Sequence, residues 1–172
     1  FDFAVRVGDL PDSSLVSVRL ADNRRMCVAT PAYLAQHGTP QIPSDLLQHS
    51  CLTLSSDASQ TRGWAFKVPP SDPAEGPEVT YLRPHGPLDC SDGQVLHVWC
   101  LASMGIAWRS TWEVENDIRS GQLVEVLADF AAPPNGIYGV FPQRKHLPLR
   151  LRLWIDFLKH HYSLPATWQS AP

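Results

Sequence analysis

Residues 90–108, CSDGQVLHVWCLASMGIAW, restrict the possible folds more than any other stretch. Ser91 and Gln94 stand in the S-x-x-Q relation of a capping box, and Val95, Val98, Leu101 and Ala102 recur at spacings of three and four. The spacing predicts a helix over about 92–103, capped by Ser91 and facing inward through those four residues. Gly105 ends it, and Ile106-Ala107-Trp108 starts an apolar strand almost at once. A helix joined to an apolar strand by so short a connection lies against the sheet, which is α/β construction.

The same pattern recurs along the chain. Thr30-Pro31 places an N-cap before a proline at the first helical position, so TPAYLAQHG reads as a short helix closed by Gly38. Ser44 should cap a helical turn with Leu46 and Leu47 inward, and Thr111 a helix through Val114 and Ile118 that stops at Gly121. Strands are predicted over 1–8, 15–20, 25–29, 51–54, 64–68, 79–82, 123–127 and 137–141. The first, FDFAVRVG, has the continuous apolar character of a parallel strand buried on both faces. A closing helix over about 148–162 aligns Leu147, Leu151, Trp154, Ile155, Leu158 and Tyr162 on one stripe.

Composition narrows the function classes. At 172 residues and 44% hydrophobic, the chain can bury a real core. A formal charge of −3 lacks the basic excess with which nucleic-acid modules grip phosphates. No apolar run approaches the roughly 20 residues that span a bilayer, and FDFAVRVGD has no signal-peptide pattern, so a cytoplasmic location and no membrane partner are expected. Cys27, Cys51, Cys90 and Cys100 lie in apolar runs without CxxC spacing and read as structural thiols. There is no G-x-S-x-G, HExxH, P-loop or GxGxxG, and the seven histidines lack metal-ligand spacing. Neither catalysis, a metal nor a cofactor is expected.

Four blocks carry a resemblance: FDFAVRVGDLPDSSLVSVRL, RRMCVATPAYLAQHGTPQIPSDLLQHSCL, SDGQVLHVWCLASMGIAW and GQLVEVLADF…IYGVFPQRKHLPLRLRLWIDFL. In this order and spacing the chain resembles the effector-binding domain of LysR-type transcriptional regulators, over nearly all of its length. The resemblance implies the type 2 periplasmic-binding-protein fold, with two α/β lobes joined by crossing strands and a small effector in the cleft between them. It assigns 1–22 and 136–172 to the remainder of lobe one with the crossing strands and closing helix, and 23–135 to lobe two. A full domain would begin with further strands and a helix of lobe one, after a helix-turn-helix head, none of which this chain includes. The stripe on the last helix is then expected to be exposed or paired with another copy. The resemblance also implies self-association as a dimer or tetramer, and contact with DNA only through that head.

A helix N-terminus offers unpaired N–H groups and a partial positive charge, so Ser91, Asp92 and Gly93 can form one wall of a ligand site. The resemblance places this triplet against the effector. Asp92 also works against a bound anion through its own charge, and Ser91 serves equally as a plain cap. The end of the first strand, Arg6, Gly8 and Leu10, is a second candidate wall, with Arg6 suited to clamp an anionic effector or to form an ordinary ion pair. Leu54, Ser55 and Ser56 end another strand and form a third. Trp64 fits an aromatic floor or plain core. The expected ligand is a small organic molecule, organic acids included. The alternative reading is a solute-binding module of a transport system with the same two lobes. A small hydrolase is the third, and its nucleophile elbow is missing from the sequence.

Overall fold

The computed structural model describes residues 2–7, 15–55, 63–68, 78–142 and 148–163. Its strands in chain order are β1 (Ala4–Val7), β2 (Leu15–Asn23), β3 (Arg25–Ala29), β4 (Cys51–Leu54), β5 (Trp64–Val68), β6 (Glu78–Leu82), β7 (Asp89–Cys90), β8 (Ile106–Ser110), β9 (Val124–Val126) and β10 (Asn135–Pro142). The α-helices are α1 (Pro31–His37), α2 (Gly93–Leu101), α3 (Thr111–Ser120) and α4 (Leu149–Ser163), with short 3-10 helices at Pro43–Gln48 and Ala128–Phe130. Contacts divide the chain into two compact units, Arg25–Pro133, and Phe1–Arg24 with Pro134–Pro172.

In the unit Arg25–Pro133 the side chains of three strands alternate between two apolar clusters. Cys27 and Ala29 of β3, Cys51 of β4 and Ile106 of β8 join Tyr33, Leu46, Trp64 and Phe66 on one side. Met26 and Val28, Leu52 and Ala107 join Leu96, Cys100 and Val114 on the other. A pleat with period two and both faces buried therefore sits between α1, the first 3-10 helix and the β5–β6 hairpin on one face, and α2 with α3 on the other. The sheet order is β7-β4-β8-β3-β9. β4 runs parallel to β7 (Leu54↔Cys90) and to β8 (Leu52↔Ala107), while β3 is antiparallel to β8 and β9. The carboxyl ends of β4, β7 and β8 thus share one edge of the sheet.

The caps explain where these helices start. Thr30 Oγ1 accepts from Tyr33 N at 3.2 Å, and Gly38 closes α1 at φ 84°, a conformation that favours glycine. Four local expectations are corrected. Asp45, not Ser44, holds the turn at Pro43, its carboxylate accepting from Gln41 N and Ile42 N at 2.8 and 3.1 Å. In that tighter helix Leu46 is buried while Leu47 is exposed. Ser110, not Thr111, is the N-cap of α3, and Glu113 Oε2 accepts its N–H at 3.0 Å. The inward face of α2 carries Leu96 and Cys100, whereas Val95 and Val98 point out. GQVLHVWCL is apolar on more than one side, so two stripes satisfy the periodicity, and the side chains of Val28, Leu52 and Ala107 select between them.

The other unit is a three-stranded sheet in the order β1-β10-β2. β1 pairs antiparallel with β10 (Val5↔Gly139), contrary to the parallel pairing expected, and Val5 and Val7 are exposed. Among the described residues β1 lies at the edge of its sheet with β10 as its paired strand, so its apolar run is not buried on both faces. On α4, Leu151, Ile155 and Leu158 are buried, Leu158 against Leu20 and Ile137. These three residues of the stripe are buried, where the expectation was a stripe exposed or paired with another copy. Trp154 does not belong to it; it stacks on Phe157 at 5.4 Å on an exposed face shared with Leu149 and Leu153. Leu147 lies outside the described residues.

Candidate functional site

The two parallel pairings bring three loop beginnings to one place on the unit Arg25–Pro133. Ser55 follows β4, Ser91 to Gly93 follow β7 and open α2, and Ser110 ends β8 and opens α3. The first two are tied directly, since Ser55 N donates to Cys90 O at 2.7 Å. Open α/β sheets hold ligands outside the carboxyl ends of parallel strands, where helix N-termini converge and backbone donors point outward.

At the tip of α2 the cap is Asp92, one residue later than expected. Asp92 has an extended backbone, and its Oδ1 accepts from Gln94 N at 2.7 Å and Val95 N at 3.3 Å. A charged acceptor one residue closer to the first turn takes the role that the S-x-x-Q pattern suggested for Ser91. The protein's own carboxylate therefore satisfies two of the first-turn amides, and Leu96 N bonds to Asp92 O at 3.2 Å. A tip already holding a carboxylate is a poor cradle for a phosphate.

Sequence reasoning missed Arg109. Its residue is 5% exposed, near the end of β8, and its Nη2 donates to Gly93 O at 3.2 Å and to Glu113 Oε1 at 2.6 Å. Glu113 in turn holds the start of α3, so one guanidinium joins the first turns of two helices. The sequence signal is a charged residue inside the apolar strand I-A-W-R-S, just before the S-x-x-E cap of α3.

The structure brings Leu54, Ser55, Ser91, Asp92 and Gly93 to this edge. Trp64 is 5% exposed in the core and stacks on Trp108 at 6.1 Å, with the Arg25 guanidinium over the Trp108 ring at 4.6 Å. This placement favours core over a ligand floor. Arg6 is exposed on β1 in the other unit. Gly8, Leu10 and Ser56 lie outside the described residues. Cys27, Cys51 and Cys100 are buried free thiols; burial pushes Cys51 and Cys100 up to about 12, which leaves them unreactive near neutral pH. Cys90, partly exposed, donates its thiol to Asp92 O at 3.1 Å. Among the described residues no three His, Cys, Asp or Glu side chains are grouped to hold a metal, and no helix is long and apolar enough to cross a membrane.

Comparison with known proteins gives a consistent family. Residues 1–163 match the LysR substrate binding domain. The chain is 34% identical over 162 residues to the HTH-type transcriptional regulator DmlR of Escherichia coli K12, covering 94% of this chain and 50% of that protein. It is 37% identical over 161 residues to the HTH-type transcriptional regulator CrgA of Neisseria meningitidis serogroup C, covering 91% and 50%. The chain thus spans about half the length of the curated relatives it matches. Among solved structures, the regulatory domain of CrgA, a LysR-type transcriptional regulator from Neisseria meningitidis, superposes with a TM-score of 0.72 at 35% identity, over 94% of this chain and 75% of that one. With that likeness the mixed sheets and their helices take the type 2 periplasmic-binding fold of LysR regulatory domains, and this chain belongs to the LysR substrate-binding domain family.

Proposed function

We propose that this chain is the effector-sensing part of a LysR-type transcriptional regulator. A small organic molecule binds at the carboxyl edge of β4, β7 and β8, against the tip of α2, and controls DNA binding by a helix-turn-helix head elsewhere in the full-length protein. The observation that carries the reading is the 2.7 Å bond from Ser55 N to Cys90 O, which joins the ends of two parallel strands beside a helix start. Family membership supports it, since the similar proteins are HTH-type regulators. Ser55, Ser91 and Gly93 are the effector contacts on geometry, with Leu54 and Asp92 shaping the edge. Arg6, Gly8, Leu10 and Ser56 are proposed on the resemblance alone. Residues 23–135 are read as regulatory lobe two, and 1–22 with 136–172 as the remainder of lobe one.

The reading gives the chain no reaction to catalyse. Signal transfer is a population shift: the effector must bind one arrangement of the regulator more tightly than another, and it can move the equilibrium only by that difference. The full-length regulator acts as a dimer or tetramer, in the cytoplasm where it meets its DNA. A thermal-shift screen of the chain against small organic acids tests the proposal, because stabilisation grows with ligand concentration over the dissociation constant. At least one acid should raise the melting temperature of the unaltered chain and fail to raise that of Ser91→Trp, whose unliganded melting temperature stays the same. A full ligand shift in Ser91→Trp removes the tip of α2 from the site.

A further inference from the structure

We infer that Arg109 is a positioning residue for the tip of α2, and that Gly93 and Arg109 are a matched pair, the glycine leaving the space that the guanidinium fills. The inference rests on the reading that this tip faces the effector, and it names what holds the tip in place. A Cβ built on Gly93 would lie 2.8 Å from Arg109 Nη2, closer than side-chain carbons approach other atoms, and 3.4 Å from Nη1, at the edge of ordinary contact. A flexible arginine would simply move aside. Arg109 is instead 5% exposed and held by Glu113 at 2.6 Å, which is itself fixed to Ser110 N at 3.0 Å. The bond from Nη2 to Gly93 O, at 3.2 Å, then sets the orientation of the peptide that follows Gly93 and, through it, the first turn.

Stability alone does not account for an arginine here. Its Nε is buried with no acceptor among the described residues, and a buried donor left unsatisfied is destabilising. An aliphatic residue at this place in an otherwise apolar strand would avoid that cost, as Ile106 and Ala107 do on the same strand. What the aliphatic residue cannot do is direct a donor to Gly93 O while gripping Glu113. Arg109 thus couples the start of α3 to the start of α2 at the proposed ligand edge, and substitution at Gly93 is limited by the guanidinium rather than by backbone strain, since no positive φ occurs there.

The test uses the unliganded chain, so its failure is separate from failure of the effector proposal. Hydrogen exchange is measured for the amides of Gln94, Val95 and Leu96, with the ladder amides between β3 and β9 as internal reference. Arg109→Met should raise exchange at the three first-turn amides at least fivefold relative to the reference. A role in general stability alone would raise both sets together, and that result overturns the proposal. Gly93→Ala should raise the same three rates in the unaltered chain and have a smaller effect in the Arg109→Met background, where the clash is gone. Equal effects of Gly93→Ala in the two backgrounds contradict the matched pair. If Arg109→Met does not fold, Gly93→Ala alone decides: a selective rise at residues 94–96 supports the proposal, and unchanged rates overturn it.

Discussion

The two units bury their apolar residues in different ways. In Arg25–Pro133 the central sheet is covered on both faces, and Leu52, Leu96, Ile106 and Ala107 each sit in a cluster fed by helices. Among the described residues of Phe1–Arg24 with Pro134–Pro172 a three-stranded sheet meets a single helix, and Val5, Val7, Leu149, Leu153, Trp154 and Phe157 are exposed. The proposed ligand edge lies on the unit whose central sheet is covered on both faces. A binding edge must hold its donors in place without help from a ligand, and two-sided burial supplies that rigidity.

The largest effect should separate the units by their cores. Leu52, 1% exposed, is surrounded in its cluster, so Leu52→Ala should cost about 3 kcal/mol in urea unfolding. Phe157, 54% exposed, should cost no more than about 0.5 kcal/mol when changed to alanine. Comparable losses would break the comparison. Next, Arg109→Met should cost less than about 1 kcal/mol by the same measurement, because the lost bond to Glu113 is offset by removal of a buried Nε that has no acceptor among the described residues. A pair of variants locates the cap of α2. Asp92→Ala should cost about 1 kcal/mol and Ser91→Ala less than about 0.5 kcal/mol, by the same measurement. The opposite order would return the cap to Ser91.

The smallest effect is one of pH. Desolvation, and then the nearby His37, holds His49 below its ordinary value, while its Nδ1 meets Tyr33 Oη at 3.2 Å. The fold therefore favours the neutral ring. The unfolded chain takes up the proton first, so this contribution is fully present above about pH 6.5 and is lost as the pH falls below that value. His49→Gln should flatten the fall of the urea midpoint between pH 7.5 and 5. An unchanged slope would assign the acid sensitivity to other groups.

Much of this fold was legible in the sequence because its signals are local. The strands 25–29, 51–54 and 64–68 coincide with apolar runs bounded by polar residues, and Thr30-Pro31 and Gly38 bracket α1 where the chemistry of caps and glycine puts them. The errors fall where several residues satisfy one local rule. Ser91 and Asp92, and likewise Ser110 and Thr111, are all acceptable caps, and the position at which the sheet releases the chain decides between them. The inward face of α2 was misread for the same reason. Arg109 was illegible because its role lies in contacts to Gly93, 16 residues away, and to Glu113 in the first turn of the next helix, which no local sequence pattern ties to it. Trp64 shows the converse limit: apolar alternation marks a buried side chain, but only its stack on Trp108 distinguishes core from the floor of a site. The edge strand β1 looked like a central one because composition reports hydrophobicity and not the number of neighbours a strand will have.

The central claim is that the effector meets the chain where β4 and β7 end and α2 begins. Its most direct test is an amide chemical-shift map of the chain titrated with the organic acid that stabilises it most in the screen. The account predicts the largest shifts at Ser55, Ser91 and Gly93, with the ladder of β3 and β9 unmoved. Saturating ligand that leaves those three amides in place, or shifts that centre on the β5–β6 hairpin or on α4, would contradict it.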